Sequence, residues 1–199
     1  KRKHKLERLQ QLNNWLAVVL EKKSYAIEPA SADASFRRYF RVTIDGETLI
    51  AMDAPPPQED CKPFVHAAEV FGAAGLNVPK IIAQDIPNGF LLLSDLGNTT
   101  FLSALQAPNG LEVAADLYRD ASNALIKMQL ASKPDVFPPY DEALLTREMQ
   151  LFPDWYVAKH LSVTLTDAQQ QVMNKTFAML NANILAQPKV YVHRDYHSR

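Results

Sequence analysis

Leu6, Leu9, Leu12, Leu16, Val19 and Leu20 recur at spacings of three and four, which predicts an amphipathic helix over residues 6–20. The period then changes to two. Over residues 36–44, Phe36, Phe40, Val42 and Ile44 share one face and Arg37, Tyr39, Arg41 and Thr43 the other, a strand pattern imperfect at Arg38. Asp45-Gly46 is a hairpin turn, because both positions tolerate positive φ. Residues 48–52 form the returning strand, and Pro55-Pro56-Pro57 ends it, because proline cannot continue a ladder. Residues 60–74 read as a helix with Phe64, Ala68 and Phe71 on one side and Gly75 as its stop. Residues 78–83 and 90–93 are apolar strands separated by the turn chemistry of Ile86-Pro87-Asn88-Gly89. Two strands, a helix and two strands predict an α+β fold: a small antiparallel sheet with one helix packed on it.

Beyond a crossing segment at Asp95-Leu96-Gly97-Asn98 the pattern is helical. Residues 111–130 place Leu117, Ala121, Ala124, Leu125 and Met128 on one side. A second helix covers 140–152 and is interrupted by Pro153, and a third starts at the cap Thr166-Asp167. Val190-Tyr191-Val192 is a short apolar strand leading into His193-Arg194-Asp195. The expected domains are an N-terminal lobe over 1–97, including a helix within 1–23, and a mainly helical lobe over 98–199. Trp15, Phe152 and Trp155 are read as core, with the wall of a substrate pocket as the alternative.

Composition narrows the class. The 199 residues are 47% hydrophobic and 22% charged, which excludes disorder, collagen and coiled coil. A net charge of −1 gives no basic field for nucleic acid. The basic flank at residues 1–5 is read as a solvated helix start. The sole cysteine, Cys61, excludes a disulfide framework and a Cys-rich zinc site, and fits a reducing compartment. No apolar run approaches the ~18–20 residues that span a bilayer. Glu7, Arg8, Gln10 and Gln11 interrupt any signal-peptide core. These features predict a soluble, cytoplasmic protein with neither nucleic acid nor membrane as partner.

The densest polar cluster is His193-Arg194-Asp195-Tyr196-His197-Ser198-Arg199. Three readings stand on composition alone. It is a polar tail, a reactive loop at a strand end, or a metal site in which His193, Asp195 and His197 alternate on one face.

H-R-D-Y-H-S-R resembles the catalytic loop of the protein-kinase-like superfamily, H-x-D followed by an Asn five residues after the Asp. The order of hairpin, helix, two strands, crossing segment and helices is similar to that fold. The segments A-S-F-R-R-Y-F-R-V, M-D-A-P-P, G-L-N-V-P, G-F-L-L-L-S-D-L-G, L-T-R-E-M-Q-L-F and H-R-D-Y-H-S-R together resemble the aminoglycoside phosphotransferase family. Within it they are most similar to the bacterial anomeric kinases of N-acetylmuramate and N-acetylglucosamine, which serve cell-wall recycling. The resemblance implies a protein-kinase-like fold, with a small β lobe and a partial helical lobe, and an ATP- and Mg2+-dependent small-molecule kinase with a sugar substrate. It further implies that this sequence stops within the catalytic loop, before both metal ligands of the family, so that no metal ligand lies within it and the fragment is inactive.

The resemblance implies roles residue by residue. Asp195 takes the acceptor proton, His193 braces the loop, and Arg194 pairs with phosphate or orders the loop. His197 and Arg199 contact the substrate. Nucleotide contacts fall on Ser35, Arg37, Arg38, Ala51, Met52, Leu93, Ser94, Asp95 and Leu96, the last four at the hinge. The covering segment Ser31-Ala32-Asp33-Ala34-Ser35 has no glycine. The third strand departs from the superfamily: Leu49-Ile50-Ala51-Met52-Asp53 carries no lysine, so Glu69 on the following helix lacks its expected partner, and Arg38 or Arg41 is the candidate replacement cation. Two other readings remain: a kinase of an aminoglycoside- or choline-like alcohol, and a nucleotide-binding pseudokinase.

Overall fold

The computed structural model describes residues 2–21, 24–32 and 36–199, and among these the side chains of 6–21, 24–30 and 36–199. Ser35 and the basic side chains at 1–5 therefore lie outside the described residues. The chain divides into two compact units, Lys1–Ala124 with Ser198–Arg199, and Leu125–His197.

The first unit is built on a five-stranded antiparallel sheet of order β1-β2-β3-β5-β4. The strands are β1 (Ala26–Ala32), β2 (Arg38–Ile44), β3 (Glu47–Asp53), β4 (Ile81–Asp85) and β5 (Phe90–Ser94). β1 is one strand more than the sequence pattern predicts. Its sequence, AIEPASA, lacks alternation, and Pro29 argues against a central strand. It is tolerated because β1 is an edge strand and its register shifts between Pro29 and Ser31. The β2–β3 hairpin closes as expected, with Asp45 at φ 52° and Gly46 at φ 83°. Phe36, expected on the buried side of β2, precedes the strand and is exposed.

Helices pack on both faces of this sheet, where one was expected. On one face Leu12 and Leu16 of α1 (Arg2–Val19) are fully buried with Phe40, Val42, Ala51, Phe90 and Leu92. Trp15 packs at the edge of this cluster, its ring centroid 5.7 Å from that of Phe90. On the other face Phe64 and Val65 of α2 (Lys62–Ala73) pack on Met52, Ala54, Cys61, Leu91 and Leu93. Burial on both faces explains why β5 reads as a continuous apolar run. The turn at residues 86–89 ends on Gly89 at φ 71°, where an added Cβ would lie 1.9 Å from the Ala54 carbonyl oxygen. The close approach is needed because the Ala54 N–H donates to the Gly89 carbonyl at 2.8 Å. The unit also holds α3 (Phe101–Leu105), capped by Thr100, and the first part of α4 (Gly110–Leu130).

The second unit holds the rest of α4, α5 (Glu142–Leu151), a π-helix (Phe152–His160) and α6 (Asp167–Leu185). Asp141 caps α5, and Thr166 and Gln169 form a capping box on α6. Pro153 does not interrupt the helical path. It sits at the first positions of the π-helix, where its missing N–H has no required partner, and the chain continues in the wider turn. Residues 190–192 form no strand. The Tyr191 N–H donates instead to Ser132 Oγ at 2.8 Å, and its ring packs edge-on to Phe137 at 4.9 Å. Phe152 and Trp155, read from sequence as core, are 52% and 59% exposed. No described helix is long and apolar enough to cross a membrane.

Candidate functional site

Consecutive strand residues face opposite ways, and this separates the two candidates for the lysine position on β3. Met52 turns toward α2 and is fully buried beside Leu91 and Cys61. Asp53 turns toward α1 and is also fully buried. Arg8 of α1 donates to its Oδ1 at 2.5 Å, and Arg38, directly opposite on β2, donates to Oδ2 through Nε at 2.9 Å and through a terminal nitrogen as well. Arg8 also donates to the Asn88 carbonyl at 2.8 Å and lies 4.4 Å above the Phe90 ring. A carboxylate without solvent is tolerable only because these donors replace its water. The sequence pattern did not single out Arg8. The signal was its place four residues before Leu12 and eight before Leu16, on the stripe that becomes buried.

Arg41 is committed elsewhere. Its Nε donates to Asp95 Oδ2 at 2.6 Å, and a terminal nitrogen approaches Oδ1 at 3.3 Å. The Gly97 N–H also donates to Asp95 Oδ1, at 2.8 Å. The Arg41 hydrogen bond is the main reason the Asp95 carboxyl is held down to about 2. Arg41 is raised in turn, by the same bond. The candidate hinge residue Asp95 therefore has its carboxylate tied to β2, while Leu96 is exposed. Ser94 closes the strand on Lys80: its N–H donates to the Lys80 carbonyl, and its Oγ accepts from the Lys80 N–H, both at 2.9 Å.

Glu59, which the sequence pattern passed over, fixes the start of β2. It accepts from the Phe36 N–H at 3.1 Å and from Arg37 Nε at 2.9 Å. Burial lowers the Arg37 pKa, but the Glu59 bond and its neighbours outweigh that, so the group is raised. The nucleotide-contact candidates are thus split by the sheet. Met52 and Leu93 share the α2 face, whereas Arg38 and Ala51 share the α1 face. Glu69 is exposed on α2.

In the second unit the polar loop is braced from within. The Asp195 N–H donates to His193 Nδ1 at 3.3 Å, and the His193 ring meets Tyr196 edge-on at 5.2 Å. Arg194 adopts φ 71° and donates to Glu148 Oε1 of α5 at 2.5 Å, with its guanidinium 5.6 Å from the Tyr140 ring. The Asp195 carboxylate is left 83% exposed, with His197 Nε2 at 3.4 Å. Such a group is accessible to accept a proton from a small molecule. Because residues 190–197 form no strand, His193, Asp195 and His197 do not line one face. Among the described residues no three His, Cys, Asp or Glu side chains converge to hold a metal. In the first unit, the Ser198 carbonyl accepts from Leu102 N–H at 2.7 Å, and Arg199 is exposed.

The chain is 48% identical to the N-acetylmuramate/N-acetylglucosamine kinase of Pseudomonas aeruginosa, over 96% of this chain and 59% of that protein. Proteins of the same name from Pseudomonas putida and Neisseria meningitidis are 46% and 42% identical, again over 96% of this chain and over 58% and 57% of their own lengths. The chain therefore spans under three-fifths of these curated relatives. Residues 26–199 match the model of the phosphotransferase enzyme family. The sheet with its helix between β3 and β4, the helical second unit and the H-R-D loop thus have one common explanation: the chain belongs to the phosphotransferase enzyme family and has its α+β, protein-kinase-like fold.

Proposed function

We propose that this protein transfers the γ-phosphoryl group of ATP to the anomeric hydroxyl of N-acetylmuramate or N-acetylglucosamine, a cytoplasmic step in recycling cell-wall sugars. The observation that carries the proposal is the 42–48% identity, across 96% of the chain, to kinases named for those two sugars.

Phosphoryl transfer asks a protein chiefly to position groups and to neutralise charge. Asp195 accepts the proton of the acceptor hydroxyl, while His193 holds its backbone and Arg194 anchors the loop to Glu148. His197 and Arg199 contact the sugar. Met52 and Leu93 line the base pocket, and the backbone of residues 94–96 offers hydrogen bonds to adenine. Arg37, held by Glu59, is the candidate cation at the phosphate end, whereas Arg38 is spent on Asp53, on the opposite face of the sheet from Met52 and Leu93. ATP supplies the phosphoryl group, and its magnesium ion neutralises charge on it.

One observation favours a second reading, a nucleotide-binding module without catalysis: buried, apolar Met52 faces α2, where the superfamily places a phosphate-pairing lysine. Phosphorus NMR of the full-length protein with magnesium, ATP and each sugar separates the two. The expected result is a sugar 1-phosphate signal that falls by orders of magnitude in Asp195→Asn. ATP binding without any sugar phosphate supports the second reading.

A further inference from the structure

Arg41 and Asp95 belong to strands that do not pair with each other. In the order β1-β2-β3-β5-β4, β3 separates β2 from β5, and Asp95 follows directly on β5. Two strand spacings make about 10 Å of sheet, which this one ion pair bridges. The register fixes the face on which it does so. Arg41 lies opposite Ile50, and Ile50 lies opposite Leu93. Directly opposed residues share a face, and Ile50 and Leu93 belong to the cluster on the α2 side. The pair therefore crosses β3 on the face where Met52 and Leu93 line the proposed base pocket.

The Asp95 carboxylate also shapes the crossing segment. Its Oδ2 accepts from Arg41 Nε at 2.6 Å, and its Oδ1 accepts from the Gly97 N–H at 2.8 Å. The second bond closes a turn between a side chain and the backbone two residues on, with Gly97 at φ 88°. Thr48 of β3 adds a further hydrogen bond, and the Asp95 side chain is only 6% exposed. The Ser94 N–H is given to the Lys80 carbonyl. What this segment can offer a base is thus the Ser94 carbonyl and the backbone of residues 95 and 96, and the turn at Asp95 sets their direction. Without the guanidinium, a nearly buried carboxylate loses its strongest donor and is driven toward water.

Arg41 is also poorly placed to serve as a phosphate cation. Glu28, opposite it on β1, brings a second carboxylate to the guanidinium. Its charge is already met from both sides within the sheet.

We infer that Arg41, acting through Asp95, is a positioning residue for the nucleotide base: the ion pair latches the segment 94–97 to β2 in the backbone shape that meets adenine. This inference rests on the nucleotide site of the proposed function. It assigns Arg41 to recognition of the base, in place of the phosphate role open to it on sequence.

The test compares ATP with inosine triphosphate, which carries the same phosphates but a 6-oxo group that accepts where the adenine 6-amino group donates. Binding of each to the full-length protein with magnesium is read by calorimetry. Wild type is expected to prefer ATP by about tenfold or more, as a site built to hydrogen-bond one base does. Arg41→Met is expected to raise Kd for ATP about tenfold while Kd for inosine triphosphate stays within about twofold, so the preference closes. Asp95→Asn, which keeps an acceptor for the Gly97 N–H but loses the charge, should close it too. Melting temperature checks folding, and should Arg41→Met not fold, Arg41→Lys and Asp95→Asn decide on the same ratio. Equal weakening of both nucleotides overturns the latch and returns Arg41 to the phosphates. An unchanged ratio in variants that bind normally, or a wild type without preference, also overturns it. Preferential ATP binding with no sugar phosphorylated overturns the kinase activity but not the latch. Wild-type binding of neither nucleotide overturns both.

Discussion

Arg8 and Asp53, 45 residues apart in sequence, meet at 2.5 Å beneath α1, and this pair ties the first helix to the end of β3. The helix precedes residues 26–199, which match the family model, whereas Asp53 lies within them. α1 is therefore part of the sheet's packing and of its charge balance. Replacing one partner of a buried pair strands the other. Arg8→Ala is expected to cost on the order of 3 kcal/mol, part of the loss being limited by Arg38. Denaturant unfolding checks this, as a fall in midpoint at unchanged slope; a loss below ~1 kcal/mol would show that Arg38 alone suffices.

The Asp95–Arg41 pair predicts a pH dependence. The folded pKa of Asp95 is lowered from 3.8 to about 2, so the folded state favours the charged form. Its contribution is full above the unfolded pKa and is lost as pH falls from about 4 to about 2. The stability difference between wild type and Asp95→Asn is expected to be constant near neutrality and to shrink across that acid window. A difference that stays constant down to pH ~2 would separate this carboxylate from acid unfolding.

Two glycines at positive φ should respond differently to alanine. At Gly46 (φ 83°) nothing lies within 4 Å of an added Cβ, so only backbone strain of ~1 kcal/mol is expected. At Gly89 the same Cβ collides with the Ala54 carbonyl, so the loss should be clearly larger, ~3 kcal/mol or more. Thermal unfolding of the two variants side by side reads the difference.

Glu148 is expected to act on rate rather than on stability. Its bond to Arg194 joins partly exposed side chains, 37% and 51%, so Glu148→Ala should move stability by less than ~1 kcal/mol. Release of the loop should still lower kcat about tenfold or more, with KM for ATP unchanged. A normal kcat would remove Glu148 from the positioning of Asp195.

Much of the plan was legible in the chain because it rests on local rules. The period of Leu9, Leu12 and Leu16, the Asp45-Gly46 turn, the Thr166 cap and the apolar β5 each follow from side-chain spacing or backbone preference. The H-R-D loop could be recognised because it resembles a family's catalytic loop and follows five other family-like segments in order. β1 could not, because Pro29 and small residues carry no period, and only the edge of a finished sheet makes them a strand. Pro153 misled for a related reason: whether proline ends a helix depends on which donor the turn needs there.

What the sequence alone determined was therefore the kind and order of most elements and the family-like loop at 193–199. Tertiary structure decided the partners. It turned Met52 to one face and Asp53 to the other, spent Arg38 and Arg41 on different carboxylates, brought Arg8 across to Asp53, and left Phe152, Trp155 and Tyr156 in solvent. The physical reason is that spacing is a property of neighbours along the chain. Pairing of charges and exclusion of water depend on which distant segments meet, and a linear pattern does not contain that.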